Sequence, residues 1–553
     1  MNILKSLWLP VLTGFLLIGC DAAAPLIEVQ PENVDKTPVK VASLSDDQLK
    51  SWGFQDLAQD TIPGMSVERT YAELIKGSGQ TVIVAVIDSG VDILHEDLKN
   101  VIWTNTDEIP NNNKDDDKNG YVDDVHGWNF LGDMTHAQLE YTRIVQRYQD
   151  QFKGKVPSDL PTSQRPLYDM YQKAKAEYDK EYNETLALKS QYEQMVSPVK
   201  DAHATISAKL GKENYTLEEV SAIKADTESM QRAKSIVTQM LQYADTIPDF
   251  LEQLTEGIEY FTDKLNHNLN INGDYRSVLG DDPYDYSAQN YGNNQVMGPD
   301  VAEAEHGTHV SGIIAAQRNN GIGMDGVASN VKIMPIRTVP DGDEYDKDVA
   351  LAIRYAVDNG AQVINCSFGK YFSQNPQWVY DALKYAGSKD VLVVIAAGNN
   401  SQNLDLDNTV FPNDQLADNK EFTDNVLTVG AIGPDYGGEM VAPFSNYGRA
   451  NVDVFAPGMQ IWSTIPNSEY KFQQGTSMAA PAVAGVAAAL RSYYPQYSAA
   501  QIKKIIMDSG LTSTTSVILE GDPTKTAKFS EISSSGSIVN MYNAFKQAQL
   551  SAQ

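Results

Sequence analysis

The chain has 553 residues, with 43 Lys and Arg against 73 Asp and Glu, which gives a formal net charge of −30. Such an acidic surplus argues against a protein that binds nucleic acid, and against one that docks on an anionic membrane through a basic patch. The length suffices for a large core and two or three domains, and 42% hydrophobic residues exclude a mainly disordered chain.

Residues 1–20 have the features of an export signal. Lys5 precedes an apolar run, Leu7 to Ile18, that is too short to span a membrane comfortably as a mature helix. The segment ends in Leu-Ile-Gly-Cys, which resembles the bacterial lipobox, whose cysteine becomes the lipidated first residue. Lipidation of Cys20 implies export from the cytoplasm and a lipid-anchored protein of the bacterial cell envelope, facing the periplasm or the cell surface. An ordinary signal peptide with a chance cysteine is the alternative.

The chain has one other cysteine, Cys366. If Cys20 carries lipid, no disulfide can form within the chain. Cys366 ends an apolar run that is typical of a buried strand, so we expect a structural thiol.

Continuous apolar, β-branched runs predict strands that are covered on both faces. They are Thr81–Ile87, Val331–Ile336, Val363–Cys366, Val391–Ala397 and Val426–Val429. Helical patterns such as Lys347–Asn359 and Trp378–Gly387 lie between most of them. This alternation predicts an α/β fold with a doubly wound, mostly parallel sheet.

Residues 135–270 interrupt the alternation with helical patterns. Thr216 and Glu219 form a capping-box signature, and spacings of three and four mark several helix faces. Five prolines are expected at breaks between helices: Pro157, Pro161, Pro166, Pro198 and Pro248. We expect three to five helices packed as hairpins or a small bundle. A regulatory or partner-binding subdomain and a structural insertion without a separable role both remain open.

Residues 115–124 predict a cation site, because oxygen-bearing side chains alternate there before a glycine turn. Asp115, Asp117 and Asn119 fit positions 1, 3 and 5 of a calcium loop, and the Tyr121 carbonyl follows Gly120. Either Asp123 or Asp124 would complete the shell. His126 stands where an EF-hand has Glu, so this is not a true EF-hand, and a solvated acidic loop is the alternative.

Four segments carry the polar groups that nucleophilic catalysis needs. Asp88 ends a buried strand, at the end where open α/β sheets bind ligands. His306 opens a helix of small residues. Asn399 follows another buried strand and offers an amide donor. Ser477 begins a second small-residue helix, whose unpaired backbone N–H groups favour developing negative charge.

The order Asp88, His306, Ser477 is that of subtilisin. The motifs Asp-Ser-Gly, His-Gly-Thr-His and Gly-Thr-Ser-Met-Ala-x-Pro resemble those of the subtilisin-like serine proteases, the subtilases or peptidase S8 family. The resemblance covers residues 66–134 and 271–545, about three quarters of the chain. It implies a subtilisin-like sheet and a serine endopeptidase acting on protein or peptide substrates. A relative with a carboxylate base, the sedolisin type, is disfavoured by His306.

The resemblance also implies the role of each residue. His306 takes the proton of Ser477, Asp88 orients and stabilises His306, and Asn399 with the Ser477 N–H forms the oxyanion hole. His309 is implied to be structural. The segment Ser367, Phe368 and Gly369 would pair with substrate backbone, and Ala397 and Gly398 would form the opposite wall of the specificity pocket. Structural Ca²⁺ is common in the family, which favours the acidic loop as a calcium site.

The separation of Asp88 and His306 departs from the family. It is 218 residues here, against a few dozen in typical subtilases. We therefore expect the helical insertion to emerge near the cleft, where it could gate substrates or bind a partner. The predicted organisation is a signal peptide 1–20, a tether and N-terminal arm 21–65, a peptidase domain 66–134 and 271–545, a helical insertion 135–270, and a C-terminal tail 546–553.

A non-catalytic lipoprotein is the competing hypothesis. It would present the helical insertion as a binding module on a silent protease scaffold. The intact set Asp88, His306, Asn399 and Ser477 argues against it, because a silent scaffold does not need all four.

Overall fold

The structure is a computed structural model that describes residues 26–27, 29–38, 40, 42–406, 409–416 and 418–552. The predicted signal peptide and Cys20 lie outside the described residues. Within them, no helix is both long enough and apolar enough to cross a membrane.

The described residues form fourteen strands and fourteen α-helices. The strands are β1 (Glu32–Asn33), β2 (Val82–Asp88), β3 (Trp128–Asn129), β4 (Val331–Arg337), β5 (Val363–Cys366), β6 (Leu392–Ala396), β7 (Val426–Ile432), β8 (Val454–Pro457), β9 (Ile461–Ile465), β10 (Glu469–Gln473), β11 (Leu511–Thr512), β12 (Ser516–Leu519), β13 (Asp522–Lys528) and β14 (Ser537–Ile538). The helices are α1 (Asp46–Ser51), α2 (Leu57–Asp60), α3 (Val67–Glu73), α4 (Glu140–Phe152), α5 (Arg165–Leu210), α6 (Leu217–Ala222), α7 (Glu228–Met240), α8 (Ile247–Asn266), α9 (Glu305–Ala315), α10 (Asp346–Asp358), α11 (Pro376–Ser388), α12 (Thr476–Tyr493), α13 (Ala499–Asp508) and α14 (Met541–Ser551).

The predicted doubly wound sheet is confirmed. Ten strands form one mostly parallel sheet in the order β1-β11-β14-β8-β7-β6-β5-β2-β4-β3. Strand β2 pairs in parallel with β4 on one side and with β5 on the other. All five predicted apolar runs are strands of this sheet, with ends that differ from the prediction by at most a few residues.

Helices cover both faces of the sheet, as continuous apolar strands require. Val82, Val84 and Val86 of β2 join a core with α9, α12, α13 and α14. Ala85 and Ile87, which point the opposite way, join a second core with α10 and α11. Asp88 thus ends a strand that is fixed from both sides. We call this α/β part of the molecule the sheet domain.

Residues 135–270, here called the insertion, contain the five helices α4 to α8. Two apolar cores hold them. The proximal core joins α4 to the first third of α5 and includes Ile144, Phe152 and Tyr171. The distal core joins the rest of α5 to α6, α7 and the start of α8, and includes Ile206 and Val237.

The proline prediction holds only in part. Pro166 and Pro248 lie in the first turns of α5 and α8, where a missing N–H costs nothing. Pro198, expected at a break, instead lies inside the 46-residue helix α5. Val199 and Ala202, which follow Pro198, are buried in the distal core, and this packing holds the helix together through the proline.

Candidate active site

The carboxyl ends of three adjacent strands, β2, β5 and β6, meet at one edge of the sheet. Asp88 ends β2, Ser367 follows β5, and Ala397 to Asn399 follow β6. Ligands bind at this edge in open α/β sheets. Helix α12, which carries Ser477, packs against α9, which carries His306.

Asp88 and His306 are in direct contact. The His306 Nδ1 lies 2.7 Å from the Asp88 Oδ1, which also accepts a hydrogen bond from the Ser89 N–H. The Asp88 side chain is buried, whereas 38% of the His306 side chain is exposed. A buried carboxylate on Nδ1 fixes the imidazole orientation and leaves Nε2 as the proton-transfer atom.

Gly307 allows this contact. A Cβ at Gly307 would lie only 2.1 Å from the Gly90 carbonyl oxygen and 3.1 Å from the Asp88 Cβ. Any other residue would therefore push α9 away from the end of β2. The glycine of the His-Gly-Thr-His motif is a packing requirement for the Asp88–His306 pair.

The environment of His306 favours its protonated form. Burial lowers the pKa of His306, but the charge and hydrogen bond of Asp88, aided by Glu305, outweigh burial and raise the pKa above its ordinary value of 6.5. An imidazole with a raised pKa accepts a proton more readily, which suits a general base.

His309 has a different environment. It is fully buried, and its Nε2 lies 3.1 Å from the carbonyl oxygens of Ile461 and Lys471. Burial, first among the causes, lowers the pKa of His309 to about 3. A neutral imidazole thus donates to the β9–β10 hairpin.

Ser477 and Asn399 lie beside each other at the start of α12. The Asn399 Oδ1 accepts hydrogen bonds from the Thr476 N–H at 2.9 Å and from the Thr476 Oγ1 at 2.8 Å. A Cβ at Gly475 would lie 3.3 Å from the Asn399 Nδ2 and 3.7 Å from the Ser477 Cβ. Thr476 therefore fixes the orientation of the Asn399 amide through its oxygen, and the Asn399 Nδ2 and Ser477 both lie close to Gly475. The sequence motif contained Thr476 but gave it no role.

The predicted substrate-binding segment is tied to the same helix. The Ser367 Oγ donates to the Ser477 carbonyl at 2.8 Å and accepts from the Asn365 Nδ2 at 2.9 Å. Phe368 is buried in the sheet domain, and Gly369 is exposed. Backbone is therefore accessible at Gly369, next to the site.

The predicted opposite wall consists of Ala397 and Gly398. Ala397 is buried, and Gly398 has a φ of +99°. A Cβ at Gly398 would lie 2.5 Å from the Asn446 Nδ2 and 3.2 Å from the Tyr371 Oη. Asn446 and Tyr371, which sequence reasoning missed, thus leave room only for glycine. Their distance along the chain from Gly398 gave no signal.

The insertion lies beside Gly369 and the residues that follow it. A groove of about 970 Å³ separates α4 and α5 from the substrate-binding segment. It is lined by Tyr141, Met170 and Lys173 of the insertion and by Gly369, Phe372 and Asn400 of the sheet domain. Phe372 also packs against the proximal core.

Buried charges join the insertion to the segment that follows Gly369. The Lys370 Nζ lies 3.2 Å from the Glu140 Oε2 and 2.8 Å from the Asp346 Oδ1. Glu140 also pairs with Arg143, and its Oε1 accepts from the Gln374 Nε2 at 2.8 Å. Burial opposes ionisation of Glu140, but Arg143 and Lys370 outweigh it and lower its pKa to about 2.

The predicted cation ligands separate into two groups. Ligand atoms of Asp115 and Asp117 lie within 4.8 Å of each other and of a carboxylate oxygen of Glu108, which sequence reasoning missed. Asn119 is adjacent: its N–H donates to the Asp117 Oδ1, and its own Oδ1 accepts from the Tyr121 N–H. Asp123 faces elsewhere, because its two oxygens accept from the N–H groups of Asn112 and Asn113.

The donor set of the loop fits calcium. Glu108 is buried, and its Oε2 has no hydrogen-bond partner. A buried carboxylate with one unpaired oxygen, grouped with two further carboxylates, is costly without a cation. The loop is anchored independently by Asp124, which accepts from the Tyr355 hydroxyl of α10 and from the Asn119 Nδ2.

Cys366 is a free, fully buried cysteine. Burial raises the pKa of its thiol far above the usual range. A buried neutral thiol is inert as a nucleophile.

The chain is similar to proteases of known sequence and structure. The profile described as the subtilase family matches residues 79–531. A thermophilic serine proteinase of Bacillus sp. (strain AK1) is 42% identical over 188 residues, which cover 34% of this chain and 42% of that protein. Subtilisin DY of Bacillus licheniformis is 35% identical over 199 residues, which cover 36% of this chain and 67% of that protein. A solved protease structure from Pseudoalteromonas arctica PAMC 21717 is 31% identical, with a TM-score of 0.36, and the match covers 44% of this chain and 70% of that one. The match thus spans less than half the length of the thermophilic proteinase.

Proposed function

Because the chain belongs to the subtilase family, we propose that it is a serine endopeptidase that hydrolyses peptide bonds of proteins or peptides. The observation that carries the proposal is the 2.7 Å contact between the buried Asp88 and the His306 Nδ1 at the edge where α12 presents Ser477. A silent scaffold that only displays the insertion has no use for a buried carboxylate that orients an accessible histidine.

The mechanism follows from the residue placements. His306 Nε2 takes the proton of the Ser477 hydroxyl as that oxygen attacks the substrate carbonyl, and later returns it to the leaving amine. Asp88 stabilises the imidazolium formed in between. The negative charge on the carbonyl oxygen is met by the Asn399 Nδ2, which Thr476 orients, and by the Ser477 N–H at the start of α12.

The test is labelling with a fluorophosphonate probe combined with peptide hydrolysis. Ser477→Ala should lose labelling and lower turnover by about 10⁶-fold, the scale of nucleophile removal in subtilisin. The control is Ser235→Ala, on the exposed surface of α7, which should label like the parent. Full hydrolysis by Ser477→Ala would rule out the proposed nucleophile.

The insertion is proposed to select substrates at the groove. The groove is continuous with Gly369 and Asn400. A substrate polypeptide that pairs with the segment from Ser367 to Gly369 would therefore extend alongside α4 and α5. Lys173→Glu should alter kcat/KM for long charged peptides by several-fold and leave short chromogenic substrates unaffected. Lys200→Glu, an exposed change on the distal part of α5, is the control. An equal effect of both variants on long peptides would contradict selection at the groove.

Structural calcium is proposed at Glu108, Asp115, Asp117 and Asn119, supported by the orphaned Glu108 Oε2. A cation whose free concentration is 100 times its Kd stabilises the folded state by about 2.7 kcal/mol. Added Ca²⁺ should therefore raise the melting temperature of the parent and of Asp107→Asn, an exposed neighbour, but not that of Glu108→Gln. A melting temperature that changes with neither EDTA nor Ca²⁺ would exclude a stabilising calcium site.

A lipid anchor at Cys20 in the bacterial cell envelope is proposed from the sequence Leu-Ile-Gly-Cys. Expressed in a lipoprotein-processing bacterium, the parent should partition into detergent and Cys20→Ala into the aqueous phase. Cys366→Ala, which removes the other thiol, should partition like the parent. Aqueous partition of the parent would refute the anchor.

A further inference from the structure

A histidine and carboxylate cluster lies at the base of the insertion, away from the catalytic residues and the acidic loop. It contains His136 at the start of the insertion, Asp263 and His267 at its end, and Asp341 of the sheet domain. One ligand atom from each of His136, Asp263 and His267 can be chosen so that all three lie within 4.8 Å of one another.

The contacts within the cluster are close. The Asp263 Oδ1 lies 3.3 Å from the His267 Nε2 and 3.7 Å from the His136 Nε2. The Asp341 Oδ2 lies 3.7 Å from the His136 Nε2. The two imidazole centroids are 4.1 Å apart with an interplanar angle of 30°. Three donors therefore converge on one small volume, and the Asp341 carboxylate lies beside them.

The backbone around the cluster is held in place. The Ala137 N–H donates to the Asp341 carbonyl, and the Asp341 N–H donates to the Thr135 carbonyl, each at 2.8 Å. The Asn268 Nδ2 bridges the carbonyls of Ala137 and Asp341 at 3.1 and 3.2 Å. The donors thus stand on rigid segments, as a preorganised site requires.

The orientation of His136 is fixed as well. Its Nδ1 lies 2.7 Å from the Thr135 hydroxyl, so its Nε2 faces the carboxylates. Holding one ring nitrogen by a hydrogen bond and presenting the other is the arrangement found around histidines that ligate metals.

The donor set suits a transition metal rather than calcium. Imidazole nitrogens with one or two carboxylates are typical zinc ligands, and zinc bonds of about 2.0–2.2 Å place tetrahedral ligand atoms roughly 3.4 Å apart. The separations of 3.3 and 3.7 Å are close to that spacing. The side chains are 29–52% exposed, so an ion has a route to the site from solvent.

We propose that His136, Asp263 and His267, with Asp341 as a fourth donor, bind a divalent transition metal of the zinc class. The ion would join the first and last segments of the insertion to the loop that follows β4, and so clasp the insertion to the sheet domain.

The test is zinc titration of the chelator-stripped full-length protein, with Ca²⁺ kept in excess so that the acidic loop is not the zinc acceptor. Calorimetry should find one zinc site per chain. Co²⁺ in place of zinc should give visible absorption bands of a four-coordinate nitrogen and oxygen site. The double variant His136→Asn/His267→Asn should weaken zinc binding by more than about 100-fold, since removing groups that only orient ligands already costs 10–100-fold.

The control is His203→Asn. This histidine also lies in the insertion and pairs with a carboxylate, Glu213, at 2.9 Å, but outside the cluster. It should bind zinc like the parent. Fluorophosphonate labelling and circular dichroism report whether each variant is folded, and Asp263→Asn, at a 43% exposed side chain, replaces the double variant if that one misfolds. The proposal is overturned if the parent takes up no zinc, or if the cluster variants bind it as tightly as the parent.

Discussion

The sheet domain and the insertion are fixed by different interactions. Strands β2, β5, β6 and β7 are packed between apolar cores on both faces of the sheet. The insertion has two small apolar cores of its own, and its contact with the residues that follow Gly369 combines Phe372 packing with buried ions around Glu140 and Lys370. The candidate catalytic groups therefore stand on an apolar framework, whereas the attachment of the insertion also depends on buried charges.

This difference predicts that substitutions in the sheet domain and in the insertion have different consequences. Apolar burial is non-directional and tolerates change in one contact, because many others remain. A buried ion pair is directional, and removing one partner leaves the other uncompensated. Substitutions in the two regions should thus produce distinct losses, one in rate and the other in attachment of the insertion.

After Ser477→Ala, the largest loss of rate should come from Asp88→Asn. The amide keeps the shape but no longer stabilises the correct His306 tautomer or its imidazolium, so kcat/KM should fall by about 10⁴-fold, a drop known for the equivalent change in a serine protease triad. The insertion should stay attached, as judged by limited proteolysis. Asp107→Asn is the control for charge loss, and a loss below tenfold in Asp88→Asn would remove Asp88 from the mechanism.

Glu140→Ala should show the opposite pattern. It leaves Arg143 and Lys370 buried with fewer partners, which should cost about 3–5 kcal/mol of stability. Denaturant unfolding measures that loss, and proteolysis should cut the insertion sooner, while fluorophosphonate still labels Ser477.

The matched control for Glu140→Ala is Glu213→Ala. The Glu213 side chain also lies on the insertion but is 79% exposed. It should change stability by less than about 1 kcal/mol. If the two glutamate variants unfold alike, the buried ions do not hold the insertion, and the comparison between the two regions fails.

The sheet and most of the candidate site could be predicted because their signals are local. Each central strand is a continuous apolar run, and each catalytic segment is a motif whose residues are neighbours in sequence. The contacts that orient the site were not predictable. The hydrogen bond between Thr476 and Asn399 forms only when β6 and α12 have packed together. The close contacts of Asn446 and Tyr371 with Gly398 likewise join residues that are distant in sequence.

The buried ions around Glu140 and Lys370 and the histidine and carboxylate cluster could not be predicted for the same reason. Glu140 and Lys370 are 230 residues apart, and Asn268 reaches Ala137 across 131 residues. The histidines at 136 and 267 gave no signal in the sequence, because neither has a ligand pattern in its own segment. The prediction of a helix break at Pro198 was wrong, because packing in the distal core outweighs the local helix-breaking tendency of proline.

Asn399→Ala sharpens the assignment within the sheet domain. It removes one of two oxyanion donors and leaves the Asp88–His306 pair intact, so turnover should fall by about 10²–10³-fold, or roughly 2.7–4 kcal/mol, the scale measured on subtilisin. Steady-state kinetics should show the loss in kcat with KM little changed. The control is Asn183→Ala, at an exposed position of α5. A loss in KM alone would place Asn399 in substrate binding instead.

The smallest effect should come from Glu305→Gln. The raised pKa of His306 places the acid limb of kcat/KM above pH 6.5, since the protonated imidazole cannot act as a base. Glu305 contributes to that rise, but it is 38% exposed and paired with Lys471 at 3.0 Å, so solvent and salt screen it. Its removal should lower the His306 pKa slightly and shift the acid limb to lower pH. At acid pH the variant should therefore be more active than the parent, and equal to it on the alkaline plateau. Glu303→Gln, two residues away, should leave the limb in place; a shift to higher pH in Glu305→Gln would contradict the sign of this electrostatic coupling.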